Sequence, residues 1–573
     1  MTRDLDRLAN QEHDVVIIGG GIYGACAAWE AALRGLQVAL VEQGDFGQAT
    51  SANSQKIVHG GLRYLQSLDF ARMRESIRER RSLLRVAPHL VHPLPFVIPT
   101  YHGRLRSKGV MAMALRLNDL VSWDRNRGLD DPERRIPPAR VISREECLRL
   151  IPGVRAEGLT GGALWYDGQI EDSERLTLAF VRSAAAAGAT VANYVEVTGL
   201  LRNASGAVCG VHAQDRGEGR RALEVRGRVV LNTSGPWVQH VLGSLNGHRP
   251  ARRTRFLKTV NLLTRPLTNQ AVAFGIASPP GWQLTPGFFF FTPWRDCTII
   301  GSTYTPYTGR PEDCQVNEQE IEAFLGAINR AYPSVRLGRR DVHMAHAGLL
   351  PAGPDGCRLQ RSYRLVDHAR QHGLKGLVSV VGVKYTTARD VAEKAVDLVC
   401  AKLGKRTGRG LSRSTPLVDG AIPLMGDFLG SALREPLWGL DGFVITHLVQ
   451  QYGTAYEQVL RLLRENLAWL EPLDTGLPSI KAQVVYAIRD EMAITLADVV
   501  FRRVGLGSAG FRGMRALDAC AQVMAQELGW DDGRRKAELR TVEALFRQRA
   551  AVGPLRVSVG AEDASAPLVG SVA

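Results

Sequence analysis

The sequence predicts an α/β protein: an N-terminal strand–turn–helix–strand crossover, a mixed-sheet region in the middle and an all-helical C-terminal region. Three observations carry this. The run 14–18 (Asp-Val-Val-Ile-Ile) is short, apolar and ends in glycines, the pattern of a buried parallel strand. Residues 23–34 are alanine-rich and helical, and 36–41 form the next apolar strand, which ends at Glu42. Helical periodicity then dominates from 415 to 549, after a Gly-, Arg- and Lys-rich stretch at 402–414 that reads as a linker.

The remaining elements follow in order. A second crossover is expected from the helix 176–187 and the strand 190–197, and 229–231 is a further buried strand. Region 255–350 reads as sheet, with Phe-rich and Ile-rich runs at 288–291 and 298–300 separated by turn signals. The run 377–381 returns to the buried-strand pattern before a helix that reaches 403. The expected domains are a dinucleotide domain (12–90, 150–250, 351–403), a substrate domain (91–149, 251–350) and a helical domain (415–549) containing one long helix over 482–503. The small, polar tail 550–573 reads as disordered.

Composition narrows the function classes. At 573 residues the chain exceeds one hydrophobic core, and 45% hydrophobic with 23% charged residues is ordinary for a globular enzyme. No run approaches the roughly 18 apolar residues of a membrane span. The first 11 residues are polar, so the expected location is the cytoplasm. Eight cysteines are scattered without a Cys-x-x-Cys pair, which points to reduced thiols and away from a metal centre. The net charge of +15 is carried mostly by arginine and reflects composition as much as a partner. No nucleic-acid reading module is recognisable, whereas anionic lipid or a phosphorylated substrate suits a basic protein. Residues 70–85 form an arginine-rich helix (Arg72, Arg74, Arg78, Arg80, Arg81, Arg85) that reads either as a solvated face or as a dock on the inner face of a membrane.

The glycine loop carries the first chemistry. Gly19, Gly21 and Gly24 form G-x-G-x-x-G between a strand and a helix, with Ile22 opening the helix whose N-terminus faces the phosphates. Glu42, at the end of the second strand, is the carboxylate that a ribose hydroxyl requires, and it argues against a 2′-phosphate and hence against NADP.

Further segments resemble the quinone-linked, FAD-dependent glycerol-3-phosphate dehydrogenases. They are Thr-Ser-Ala-Asn-Ser-Gln-Lys at 50–56, His-Gly-Gly-Leu-Arg-Tyr at 59–64 and Thr-Ser-Gly-Pro-Trp at 233–237. Pro293-Trp294 ahead of Ile-Ile-Gly-Ser-Thr at 299–303, Val-Lys-Tyr-Thr-Thr-Ala-Arg at 383–389, and Arg-Asp-Glu-Met-Ala at 489–493 with 498–503 complete the set. The resemblance spans about 14–549. It implies a Rossmann-type FAD domain of the glutathione-reductase type, a substrate domain and a helical cap. FAD would be held by Gly19, Gly21, Ile22, Gly24, Glu42, Thr50, Ser51, Ser54, Lys56, His59, Gly60, Gly61, Val195, Ser234, Gly235, Trp237, Gly382, Lys384, Tyr385 and Thr386. The implied reaction is hydride transfer from a secondary alcohol, with electrons passed to quinone. The expected partners are a small substrate, quinone, an anionic membrane surface and a second copy in a homodimer.

Such a reaction needs a base for the hydroxyl proton and donors for the reduced flavin. Lys384 suits the second task and His59 is the candidate for proton transfer. By the family match Arg63 holds the substrate phosphate, supported by Tyr64, while Lys258 and Arg389 are further substrate-side matches. Three positions depart from the pattern: Asn261 replaces a histidine, Tyr304 replaces an aspartate, and Leu350 replaces an arginine. All three are on the substrate side. They open a second reading, a different polyol, hydroxy-acid or amine substrate, and a third, a non-catalytic flavin scaffold. His346 is a candidate replacement base, and Arg252, Arg253 and Arg255 are candidate replacement phosphate ligands.

Overall fold

The computed structural model describes residues 1–103, 107–217, 219–243, 254–268, 271–282, 287–406, 408, 410–434 and 437–550. Arg252, Arg253 and the tail 551–573 therefore lie outside the described residues. Two sheets organise the chain, with a helical region packed beside them.

The first sheet places the strands in the order Arg364–Asp367, Leu377–Val381, Ala222–Asn232, His13–Ile18, Val38–Val41 and Thr190–Ala192. From Leu377–Val381 to Thr190–Ala192 every pairing is parallel. Both faces of its centre are covered: the helices Ile22–Leu33, Ser173–Ala186 and Ala388–Leu403 pack in one core cluster with Val15, Ile17 and Leu40, and Val16, Ile18 and Ala39 belong to another. Parallel strands buried on both faces explain the near-continuous apolar runs in the sequence. The expected strand 190–197 is split, because Tyr194 takes a left-handed turn (φ 55°) and the chain restarts as Val195–Arg202 in an antiparallel meander.

The second sheet orders Val342–Pro351, Phe256–Thr264, Cys297–Tyr307, Phe288–Trp294, Ala273–Ala277, Val91–Tyr101, Leu159–Ile170 and Ile57–Val58. Two of these strands lie in segments assigned above to the dinucleotide domain: Ile57–Val58, and Leu159–Ile170, which pairs along its length with Val91–Tyr101. Long-range pairing decided their place, not local pattern. The register Asn261↔Gly301 and Asn261↔His346 brings three distant strands together beside the 50–59 segment.

The C-terminal helices share a core that also takes in Leu263, Trp294, Cys297, Ile299 and Met344 of the second sheet. The long helix expected over 482–503 is broken: Lys481–Glu491 ends at Met492 (φ 57°), and the chain resumes as Leu496–Asp498 and a π turn, Val499–Arg503. No helix among the described residues is long and apolar enough to cross a membrane.

Candidate active site

A cavity of about 470 Å³ runs over the ends of the parallel strands, where strand, turn and helix meet. That volume is in the range of roughly 300–1,000 Å³ typical of small-molecule sites. The loop 19–24 forms its floor. Gly19 has φ +99°, and a Cβ on Gly24 would lie 1.9 Å from the Gly19 carbonyl, so neither position admits a side chain. At one end Glu42 accepts from the amides of Gly20 (2.7 Å) and Gly44 (2.9 Å). Burial raises its pKa, and those amides oppose the shift. A carboxylate has further lone pairs for a hydroxyl partner.

Of the cofactor residues expected from the sequence, Gly19, Gly21, Ile22, Glu42, Thr50, Ser51, Val195, Ser234, Gly235, Trp237, Gly382, Lys384 and Tyr385 line this cavity. Ser51 Oγ caps the helix by accepting from the Ile22 amide at 3.0 Å. Gly60 and Gly61 shape the turn that leads to Tyr64 instead: Gly60 N donates to Asp167, and Gly61 adopts φ +80°. Ser54 accepts from Lys56 N, and Thr386 Oγ1 accepts from His59 N at 3.3 Å.

Tyr23 was not singled out from the sequence. Its hydroxyl accepts from the amides of Val383 and Lys384, each at 3.0 Å, and donates to the Lys384 carbonyl at 2.8 Å. It therefore fixes the 382–385 turn over the helix that opens at Ile22. An aromatic residue inside the glycine motif was the only available signal. Gln48, Arg216, His240, Arg310 and Glu312 also line the cavity, and Trp237 Nε1 donates to Glu312 across it.

Lys384 lines the cavity and leads to a group of polar residues outside that lining, His59, Arg63, Tyr64 and Arg72. Lys384 Nζ donates to the Tyr64 hydroxyl, and the Tyr64 ring carries the Arg72 guanidinium 4.9 Å from its centroid. His59 meets Tyr64 edge-on at 6.1 Å. Burial and the Arg72 and Arg63 charges bring Lys384 down to about 8. Burial, then Lys384, Arg63 and Arg80, bring His59 down to about 3, so its imidazole is neutral near neutral pH. Arg63 is exposed, and its charge also acts on Tyr304, whose phenol burial pushes up. A neutral base thus stands among Arg63, Arg72 and Lys384.

Of the three substituted positions Leu350 lines the cavity, whereas Asn261 and Tyr304 do not. Asn261 is buried, accepts from Ser302 Oγ at 2.6 Å and donates to the Asn53 carbonyl. Leu350 lines the cavity and stands opposite Leu257 in the sheet. Arg255 binds the Pro354 carbonyl.

Four sequence-based expectations need correction. Lys56 is fully buried and bonds Glu174, Ser173 Oγ and the Ala52 carbonyl, so it braces the 50–56 segment from behind rather than lining the cavity. Arg389 is buried, forks onto Glu79 (2.6 and 2.8 Å) and continues to Glu393 and Ser412, so four of its five N–H donors are spent inside the protein, away from the cavity lining. Lys258 is committed to Glu320 at 2.5 Å and the Gln315 carbonyl. His346 is buried beside the Lys56 and Arg549 charges, which with burial hold its pKa far down, and it lies outside the cavity lining.

Residues 14–389 match the family of FAD dependent oxidoreductases, and 413–535 match the C-terminal domain of alpha-glycerophosphate oxidase. A glycerol-3-phosphate dehydrogenase of Synechocystis sp. is 34% identical, over 92% of this chain and 95% of its own. The chain belongs to the FAD-dependent glycerol-3-phosphate dehydrogenase family. Glycerol-3-phosphate dehydrogenase 2 of Mycobacterium tuberculosis is 33% identical over 91% of this chain and 86% of its own. The solved glycerol-3-phosphate dehydrogenase of Bacillus halodurans shares the fold, with a TM-score of 0.76 at 24% identity, over 96% of this chain and 98% of that one. The family's cofactor fits the cavity: a side-chain-free loop at a helix N-terminus, a carboxylate at the dinucleotide end and a lysine at the other. The protein is an FAD-dependent oxidoreductase.

Proposed function

We propose that the protein oxidises sn-glycerol 3-phosphate to dihydroxyacetone phosphate and passes the electrons to a quinone. The observation that carries this is the cluster of Arg63 and Lys384 around neutral His59 and Tyr64, which meets the cavity at Lys384. A phosphate ester is the small substrate that such a cluster selects, because the forked Arg63 guanidinium and the Lys384 ammonium match its oxygens. FAD, when bound, supplies the two-electron acceptor that takes hydride from the carbinol carbon.

The chain's own residues do the rest. Arg63 and Lys384 hold the phosphate and the oxygen beside the reacting carbon. His59 takes the hydroxyl proton. Its low pKa in the free protein comes from burial and then from the Lys384 and Arg63 charges. A bound phosphate offsets both charges and raises the basicity of His59 when substrate is present.

The acceptor side has a different surface from the arginine-rich helix. In the helix Phe70–Val86, Arg74 and Arg81 bond Asp124, Arg80 bonds Asp167 and Arg72 bonds Asp69, so four of the six expected lipid contacts are paired internally. Exposed apolar side chains cluster instead on and around the helix Lys108–Val121: Met113 (67%), Leu120 (70%), Trp123 (71%) and Leu68 (68%), flanked by exposed Lys108, Arg116 and Arg127. An apolar face with a basic rim suits an anionic bilayer, from which a lipid-soluble quinone is drawn.

The departures at Asn261, Tyr304 and Leu350 favour a second reading, a different polyol, hydroxy-acid or amine substrate. The test is product analysis with a soluble quinone analogue. The first reading requires dihydroxyacetone phosphate and quinol in equal amounts from sn-glycerol 3-phosphate; turnover of another alcohol or an amine in its place supports the second.

A further inference from the structure

Asp45 lies in the loop that follows Glu42, is fully buried, and does not line the cavity. The helical C-terminal region grips its carboxylate. Oδ2 accepts from Arg502 Nε (2.6 Å) and Arg503 Nη1 (2.8 Å), and Oδ1 accepts from Arg503 Nη2 (2.8 Å). Arg502 continues to Asp498 at 2.6 Å, and Arg503 to the Glu491 carbonyl at 3.1 and 2.9 Å. Both arginines sit at the end of the π turn Val499–Arg503, a rare widening of a helix that recurs at functional positions.

The neighbouring strand is tied to the same anchor. Asn193 donates to Asp45 Oδ1 at 3.1 Å and to the Met492 carbonyl at 2.9 Å. The Tyr194 hydroxyl donates to Asp498 at 2.6 Å, while the Tyr194 amide holds the Gly44 carbonyl at 2.8 Å and the Val195 amide holds the Glu42 carbonyl at 2.7 Å. Glu42, in turn, accepts from Gly44 N. Beside the Gly20 amide, which holds the Glu42 carboxylate from the glycine loop, the bonds through Asp45, Asn193 and Tyr194 thus lead from the Glu42 loop to residues 491–503.

A buried ion pair is weak evidence of net stability, since an apolar replacement often does as well. What forked, charge-assisted bonds add is orientation. Burial alone would raise the Asp45 pKa; the Arg503 and Arg502 charges reverse this and bring it to about 2, so the carboxylate stays ionised and the clamp stays set.

We infer that Asp45, Arg502, Arg503 and Tyr194 are positioning residues of the FAD site, through which the C-terminal domain holds the loop bearing Glu42 toward the dinucleotide. Cofactor retention then depends on contacts remote from the chemistry. The inference rests on FAD binding alone and is independent of the substrate.

The test uses Arg502→Lys, which keeps the charge and removes the guanidinium bridge from Asp45 to Asp498, and Tyr194→Phe, which removes one hydroxyl and leaves every buried charge paired. Arg512→Lys, at the C-terminal region's pair with Asp296 on the substrate sheet, serves as the control. Apo-protein is titrated with FAD, and melting temperatures are taken with and without FAD. Arg502→Lys and Tyr194→Phe should each weaken FAD about 10-fold and shrink the melting gap between holo- and apo-protein, while Arg512→Lys leaves the FAD constant unchanged. If Arg502→Lys does not fold, Tyr194→Phe decides. An unchanged FAD constant, with apo- and holo-protein destabilised equally, overturns the inference.

Discussion

The Tyr23 hydroxyl and the Lys384 backbone clasp each other twice, with the phenol accepting the amide at 3.0 Å and donating to the carbonyl at 2.8 Å. The glycine loop and the lysine turn, 361 residues apart in the chain, are thereby one structural unit. Tyr23→Phe leaves the Val383 and Lys384 amides short of an acceptor, a loss of about 1–3 kcal/mol for buried groups. The expected outcome is retained FAD with flavin reduction slowed about 10-fold, measured in single turnover.

Lys384 is depressed to about 8, so the unfolded chain binds this proton more tightly than the folded one. Between that value and the ordinary lysine pKa of about 10.4 the unfolded state carries more protons, so stability from this group rises with pH across the window. Activity moves the other way: kcat/KM for a phosphate ester should fall as pH rises through about 8, where the ammonium is lost. Lys384→Met should remove that limb and lower kcat/KM about 10–100-fold, the scale of one charge-assisted hydrogen bond. A pH series on both proteins checks this.

Leu350 lines the cavity where related enzymes carry an arginine by the sequence pattern. Leu350→Arg adds a forked donor toward the substrate end. It should lower KM for sn-glycerol 3-phosphate about 10-fold, or 1.4 kcal/mol. Steady-state kinetics read the change directly.

Arg389 and Glu79 are both about 1% exposed and pair in a fork. Arg389→Met strands a buried carboxylate, which costs roughly 3–5 kcal/mol. Denaturant unfolding should show that loss, and adding Glu79→Gln should recover part of it. A substrate-binding arginine would instead raise KM with stability intact.

The cofactor half was legible because its determinants are local: a strand, three glycines, a helix start and a carboxylate at the next strand end. The substrate half was not. Arg389, expected at the substrate, and Lys56, expected at the cofactor, sit in motifs that resemble site residues, but their partners Glu79 and Glu174 are 310 and 118 positions away, so only the fold reveals that they are committed. The arginine-rich helix misled for the same reason, since Asp124 and Asp167 come from remote segments. Periodicity over 482–503 was real, but Met492 in a left-handed conformation breaks it, and that break sets Arg502 and Arg503 on Asp45. Tyr23 occupied a position where the motif admits any residue, so nothing local marked its contact with a turn 361 residues on.

The central claim is that the cation cluster around His59 and Tyr64 selects a phosphorylated secondary alcohol for oxidation. Anaerobic mixing of the FAD-loaded protein with sn-glycerol 3-phosphate, glycerol and a small panel of hydroxy acids and amines tests it most directly. Rapid, saturable bleaching of the visible flavin band is expected with sn-glycerol 3-phosphate and little with unphosphorylated glycerol. Bleaching by an uncharged alcohol or an amine, with none by any phosphate ester, would contradict it.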